Sequence, residues 1–426
     1  MDTLDTIESR VRQANGEIPL SLENFRQAAR RIAGVVRHTD LMRADVFSQE
    51  TDTEMYLKLE NLQRTGSFKF RGAYNKMVQL AQLPLGEKPR GIIAASAGNH
   101  AQGVASAGAV AGFPVTVVMP QGASLTKMRA CREMGAEVIQ YGATLEEAAV
   151  WAKNQAIERD LLFVHPYDDW QIIEGQGTLG LELLEDLPDV ETVVVPLGGG
   201  GLLSGTALAL KLQKPNIRVI GVQTEAVAPY AGFIQTGHFR PNQLRGMTIA
   251  DGIRVKMPGD HTAQVIRKYV DDVVTVSDAA IGEAVVAVME RTRTITEGAG
   301  AAGLAALLHH KIPVRSGEKI IAVLSGGNID VTLIGRIIDF GLVSSGRFLV
   351  VAVIVSDTPG QLMHLLEMVA DLGMNIRQVE HRRGELQVPV GQTEIILQVE
   401  TKDRDQQQKL MVAFEQEDIP TRLITH

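Results

Sequence analysis

The chain has 426 residues, of which 45% are hydrophobic and 22% charged, and carries a formal net charge of −8. That length exceeds what one hydrophobic core usually serves and predicts two or three domains, while the composition excludes a disordered or membrane-embedded chain. The acidic balance, with no basic run interleaved with aromatics, excludes a nucleic-acid-binding surface and favours small-molecule chemistry.

Met1 to Gln13 alternate acids with Leu4, Ile7 and Val11 at helical spacing and lack the basic start and apolar centre of an export signal. The sole cysteine, Cys131, has no intrachain disulfide partner. The expected compartment is therefore a reducing cytoplasm, and no apolar run approaches the roughly 20 residues that span a bilayer.

Gly66-Ser67-Phe68-Lys69-Phe70-Arg71-Gly72 sets one lysine between two phenylalanines. An amine serves Schiff-base chemistry only when part of it is unprotonated, and desolvation by Phe68 and Phe70 would lower its pKa. The same alternation fits a surface lysine on an edge strand. Its company elsewhere in the chain decides between the two.

From about residue 91 to 325, apolar β-branched runs alternate with Gly-rich turns and Ala-rich helical windows. Strands are predicted at 91–95, 115–119, 137–140, 161–164, 192–195, 219–222 and 319–324. Such continuous runs need cover on both faces, which predicts an α/β fold with largely parallel sheet flanked by helices and ligands beyond the carboxyl ends of the strands.

Three segments at predicted strand ends carry chemistry. Ser96-Ala97-Gly98-Asn99-His100-Ala101-Gln102-Gly103 closes a strand and opens a helix, where unpaired N–H groups, the Ser96 hydroxyl and the Asn99 amide suit a carboxylate. An ordinary capped turn has the same pattern. Gly198-Gly199-Gly200-Gly201-Leu202-Leu203-Ser204 follows the strand at 192–195, and its glycines let N–H groups converge on a phosphate. The dinucleotide fingerprint fails at Leu203 or Ser204, and no Lys-Ser or Lys-Thr follows for a nucleotide P-loop. A cofactor with a single phosphate remains. Ser325-Gly326-Gly327-Asn328 puts a hydroxyl at a third strand end, where it can hydrogen-bond a ring nitrogen.

Gly341-Leu342-Val343-Ser344-Ser345-Gly346 predicts a linker. The expected division is a catalytic domain over 1–342, its smaller subdomain at about 75–165, and a separate domain over 347–426. The latter reads strand, turn at Asp357-Thr358-Pro359-Gly360, helix, two strands, helix and strand. That β-α-β-β-α-β order is the ferredoxin-like α+β fold.

A nucleophilic lysine, a monophosphate cradle and a carboxylate-binding turn on one parallel sheet are the parts of a pyridoxal-phosphate enzyme. The chain resembles the fold-type II pyridoxal-phosphate family, and within it the threonine ammonia-lyases. The resemblance rests on Glu60-Asn61-Leu62-Gln63 leading into the Lys69 heptapeptide, the Ser96–Gly103 segment, the tetraglycine loop and Ser325-Gly326-Gly327-Asn328, in family order. His165-Pro166-Tyr167-Asp168-Asp169, Glu174-Gly175-Gln176-Gly177-Thr178 and Ala250-Asp251-Gly252-Ile253 also look like the family.

The resemblance implies that Lys69 binds pyridoxal 5'-phosphate covalently beside Phe68, that Asn99 hydrogen-bonds its phenolic oxygen, and that Gly198, Gly199, Gly200, Gly201 and Leu202 hold its phosphate. Ser325 would face the pyridine nitrogen, and Ser96, Gly98, Asn99 and His100 would surround the substrate carboxylate. The implied reaction is β-elimination from L-threonine to 2-oxobutanoate and ammonia, with L-serine giving pyruvate. Ala97 stands where serine racemases of the family carry a second serine, and Gln223 where cation-binding members carry a glutamate. Racemisation and an obligatory metal are therefore not expected. Glu297-Gly298-Ala299-Gly300-Ala301 looks like a family loop near the cofactor, with no catalytic step assigned to it.

The C-terminal module resembles an ACT domain, whose turn matches Asp357, Pro359, Gly360, Gln361 and Leu362 and whose small amino-acid effectors bind between paired modules. One such module fits the catabolic or medium-length enzymes and implies a homodimer or homotetramer. The alternatives are a serine dehydratase or racemase, a β-replacement enzyme, and a non-catalytic amino-acid sensor that keeps the fold.

Overall fold

The computed structural model describes residues 17–240, 247–383 and 388–424, so the helical expectation for Met1 to Gln13 lies outside the described residues. The chain divides into two compact units, Met1–Asp330 and Val331–His426.

The first unit is built on two sheets, where the sequence reading placed its motifs on one. The larger comprises β1 (Leu41–Arg43), β2 (Glu54–Lys58), β7 (Thr192–Pro196), β8 (Arg218–Thr224), β9 (Asp272–Val276) and β10 (Lys319–Val323), in the order β1-β2-β10-β7-β8-β9. All neighbours are parallel except β1 against β2. The smaller comprises β3 (Ile92–Ala95), β4 (Val115–Met119), β5 (Glu137–Gln140) and β6 (Leu162–Phe163), all parallel in the order β5-β4-β3-β6. Strand periodicity shows in the packing. Ile92 and Ala94 face one core with Phe70, Ala73 and Met77, while Ile93 and Ala95 face another with Ala148, Ala152 and Ala156. Both faces are thus covered, as continuous apolar runs require.

The helix Trp170–Asp186 packs against the helix Lys69–Ala81 at glycine: a Cβ on Gly175 would lie 2.6 Å from the Gly72 Cα. Close packing of backbone on backbone is what the Glu174–Thr178 motif supplies.

Strands β1, β2 and β9 were not anticipated. In β2, Lys58 is fully buried and donates to the Thr39 carbonyl at 2.7 Å and to Asp186 at 2.8 Å. A buried cation whose acceptors lie far along the chain has no signature in local sequence.

The second unit begins with the helix Val331–Ser344, whose Ile337 and Gly341 share a buried face. Helix therefore runs through most of the stretch that reads as a linker, and Gly346, at φ +75°, turns the chain out of it. Then follow β11 (Phe348–Ser356), a helix (Gln361–Asp371), β12 (Asn375–Arg382), β13 (Gln392–Glu400), a helix (Arg404–Gln416) and β14 (Thr421–Leu423). The sheet order β12-β13-β11-β14, antiparallel throughout, is the ferredoxin-like arrangement. Leu349, Val351, Val353, Leu365, Val369, Leu397 and Phe414 form its core.

Candidate active site

Lys69 is the first residue of its helix, with Phe68 at the N-cap. Its Nζ donates to the Pro166 carbonyl at 2.8 Å and lies 5.2 Å from the centroid of the Phe68 ring. Burial lowers its pKa to about 8, against an opposing pull from Glu297. Phe70, the other expected neighbour, is elsewhere. It is fully buried in the small-sheet core and stacks on Tyr74 with ring centroids 5.5 Å apart. Because the lysine opens a helix and not a strand, successive side chains diverge by about 100°.

The three companion segments converge on this lysine from both sheets. The helix Asn99–Ala111, after β3, approaches Lys69 through Gly103, where a Cβ would lie 3.2 Å from the lysine's carbonyl carbon. Ser325 and Gly326, after β10, run beside Ser67 and Phe68: Ser67 bridges Gly326, and the Phe68 N–H donates to the Ser325 carbonyl at 3.1 Å. Ser325 itself is buried. The tetraglycine loop, after β7, joins through Tyr167, the residue following the lysine's acceptor Pro166.

That loop is shaped by the His165–Asp169 segment. A Cβ on Gly199 would fall 2.3 Å from the Tyr167 ring, so only glycine admits the tyrosine there. The Tyr167 hydroxyl is tied to the Met257 carbonyl at 2.9 Å. Asp168 accepts the N–H groups of Asp260, His261 and Thr262 at 3.1, 2.8 and 3.1 Å, capping the helix Asp260–Tyr269. The Thr262 hydroxyl then donates to the Gly199 carbonyl at 2.8 Å. Gly200 is left-handed at φ +96°, and the helix Gly201–Gln213 starts with no side-chain cap. Its first-turn N–H groups, including that of the buried Leu202, are directed out of the helix end as an anion site. Motif reading singled out Tyr167 and Asp168 without giving them a role, and it missed Thr262. The motif was visible, but its partners stand about 90 residues away.

At the carboxylate segment, the Ser96 hydroxyl accepts the Gly98 N–H at 3.2 Å, and Gly98 caps the helix with no side-chain bond. Asn99 donates to Glu297 at 2.6 Å. The His100 ring is buried and its Nε2 meets the Val164 carbonyl at 3.1 Å, which makes that nitrogen the donor. Burial and the Lys69 charge push its pKa down to about 3, against the Val164 hydrogen bond, so the ring is neutral. His100 therefore offers a ligand its backbone N–H at the helix start.

Gln223 is fully buried and accepts the Tyr230 N–H at 2.9 Å, so its amide serves the fold. Among the described residues no group of three or more His, Cys, Asp or Glu could hold a metal ion. In the second unit, Asp357, Pro359, Gly360, Gln361 and Leu362 lie together where β11 turns into its helix. Asp357 pairs with Arg383 at 3.1 Å, and Leu362 packs on the core.

A buried amine poised near neutrality, an uncapped glycine-lined helix end and a second helix end beside the amine fit one ligand pair: an aldehyde carrying one phosphate, and an amino acid. Related proteins agree. An L-threonine ammonia-lyase of Thermotoga maritima is 48% identical over 385 residues, covering 90% of this chain and 94% of the relative. The processed form of threonine deaminase isoform 2 from Solanum lycopersicum is 34% identical with a TM-score of 0.69, over 75% of this chain and 89% of that one. Maize serine racemase is 34% identical with a TM-score of 0.70, over 74% and 96%. Residues 32–326 match the family described as pyridoxal-phosphate dependent enzyme, and the chain belongs to that family.

Proposed function

We propose that this protein converts L-threonine to 2-oxobutanoate and ammonia. The observation that carries the reading is the buried Lys69 amine, with its pKa lowered to about 8, where segments from both sheets converge. The 48% identity with the Thermotoga maritima L-threonine ammonia-lyase supports the choice of substrate.

In this reading Lys69 holds the cofactor aldehyde, Phe68 shields it, and Gly198 to Leu202 hold the phosphate with backbone N–H groups. Asn99 would donate to the phenolic oxygen, and Ser325 would face the ring nitrogen. When bound, pyridoxal phosphate supplies an electron sink for the charge left at Cα. Ser96 and the N–H groups of Gly98, Asn99 and His100 take the substrate carboxylate. Lys69 Nζ, freed once substrate is seated, would take the Cα proton and deliver it to the β-hydroxyl, which leaves as water. The enamine would be released as Lys69 Nζ takes its place again, become an imine and take up one water to give 2-oxobutanoate and ammonia. L-Serine gives pyruvate by the same route. Ala97 offers no side-chain acid, which favours elimination over racemisation.

A neutral amine is required, so cofactor-free protein takes up pyridoxal phosphate at a rate that rises about tenfold per pH unit below pH 8 and flattens above it. Growth of the bound cofactor's visible band measures this. A profile that is flat from pH 6 to 9 would contradict the lowered amine pKa.

The second unit we assign to the ACT-type regulatory domains, on its ferredoxin-like sheet and the Asp357–Leu362 turn, acting in a homodimer or homotetramer. Isoleucine or valine is expected to shift the threonine concentration at half-saturation. Unchanged saturation curves with either amino acid would leave that unit without this role. No helix among the described residues is long and apolar enough to cross a membrane. A cytoplasmic setting completes the proposal, supported by a lone cysteine that is buried and whose pKa burial pushes up to about 11.

A further inference from the structure

Glu297 carries a buried carboxyl for which the reaction above has no use. It caps the helix Gly298–Leu308, its N–H bonded to the Gly326 carbonyl at 3.0 Å, and its Oε1 accepts from Asn99 Nδ2 at 2.6 Å. Asn99 Oδ1 in turn accepts from Asn328 Nδ2 at 2.9 Å, and Asn328 Nδ2 also donates to the Thr65 carbonyl at 2.7 Å.

The direction of this relay is not free. A backbone carbonyl only accepts, so Thr65 turns the Asn328 amide nitrogen toward itself. The same nitrogen then requires an oxygen from Asn99, which sends the Asn99 nitrogen to Glu297. Reversing Asn99 would set its oxygen against a carboxylate and its nitrogen against an amide nitrogen. Of the two Asn99 Nδ2 protons, one is held by Glu297 and the other is left for a ligand.

We propose that Glu297 is a positioning residue that acts through Asn99, orienting its amide so that an N–H faces the phenolic oxygen of the cofactor. This rests on the cofactor seat proposed above. Burial and the nearby Asp251 raise the carboxyl's pKa to about 7, while the Asn99 hydrogen bond, Lys127 and Lys69 oppose the shift. The acceptor role survives that titration, because the protonated acid keeps a carbonyl oxygen.

The test compares Glu297→Ala and Glu297→Gln as holoenzymes, reading the position of the cofactor's visible band and its dissociation constant. Alanine removes the acceptor, and we expect a shifted band with affinity at least about tenfold weaker, the loss of a hydrogen bond to an oriented group. Glutamine keeps an acceptor oxygen, and we expect it to restore the band and bring affinity to within about threefold of wild type. An alanine variant with the wild-type band and affinity would overturn the proposal, as would a glutamine variant as impaired as alanine. Should Glu297→Ala not fold, Glu297→Met fills the same space without an acceptor for Asn99. The same shifted band supports the proposal, and an unchanged one overturns it. Wild-type protein with no borohydride-sensitive band would instead refute the seat itself.

Discussion

Replacing Lys69 with alanine is expected to reduce threonine turnover by at least about a thousandfold while leaving the fold intact. Two losses combine. The cofactor is no longer held covalently, and the Cα proton has no positioned base, a step that by itself is worth about 10²–10⁴-fold. The fold should survive because the lysine amine makes one hydrogen bond, to Pro166, and its charged form is disfavoured by burial. Release of 2-oxobutanoate and the circular dichroism of the variant measure the two halves of this expectation. Turnover within tenfold of wild type would remove Lys69 from the centre of the reaction.

The second large effect is on stability and concerns Arg71, two residues along the same helix. Its guanidinium is fully buried. It meets Glu60 through Nε at 2.7 Å and Nη2 at 2.7 Å, and Glu182 through Nη1 at 2.6 Å. Burial alone would raise the Glu60 pKa, but the Arg71 charge and hydrogen bonds, with help from Thr39 and Lys58, hold it below the usual range. Removing one member of such a network leaves a charge buried and unpaired, at a cost of about 3–5 kcal/mol. For a unit of this size that corresponds to a Tm lower by roughly 4–7 °C. We expect Arg71→Ala to show this in calorimetry, and Arg71→Met with Glu60→Leu to recover part of it. A Tm for Arg71→Ala within about 2 °C of wild type would contradict the account. The sign with pH follows from the depressed carboxyl. The stabilisation is complete above the ordinary value of 4.5 and is lost as pH falls through the lowered folded value.

These two residues mark what could and could not be read in advance. The strands with continuous apolar runs, such as Val115–Met119 and Lys319–Val323, were legible because burial on both faces leaves no alternation to misread. The ferredoxin-like order of the second unit was legible because its strands and helices differ in period. The segments that gather around Lys69 could be picked out because glycine, serine and asparagine at strand ends mark backbone left without partners.

The expected subdomain at about 75–165 parts β3 from β7, but local sequence could not show the strand order within either sheet, since pairing is set between residues far apart in the chain. Nor could it show which phenylalanine shields the lysine, because Phe-Lys-Phe has strand period while the segment opens a helix. Glu297 could be placed in a loop near the cofactor but not given a role, because its partner Asn99 lies 198 residues away. A buried charge is recognisable only through such partners.

Everything proposed for this site depends on the Lys69 amine carrying the cofactor. The most direct test of that is borohydride reduction of the wild-type holoenzyme followed by peptide mass spectrometry. A pyridoxyl-phosphate adduct on Lys69 and on no other lysine is expected, with loss of the visible band and of 2-oxobutanoate release from threonine. An adduct on a different lysine, or reduction that leaves Lys69 unmodified and turnover intact, would contradict it.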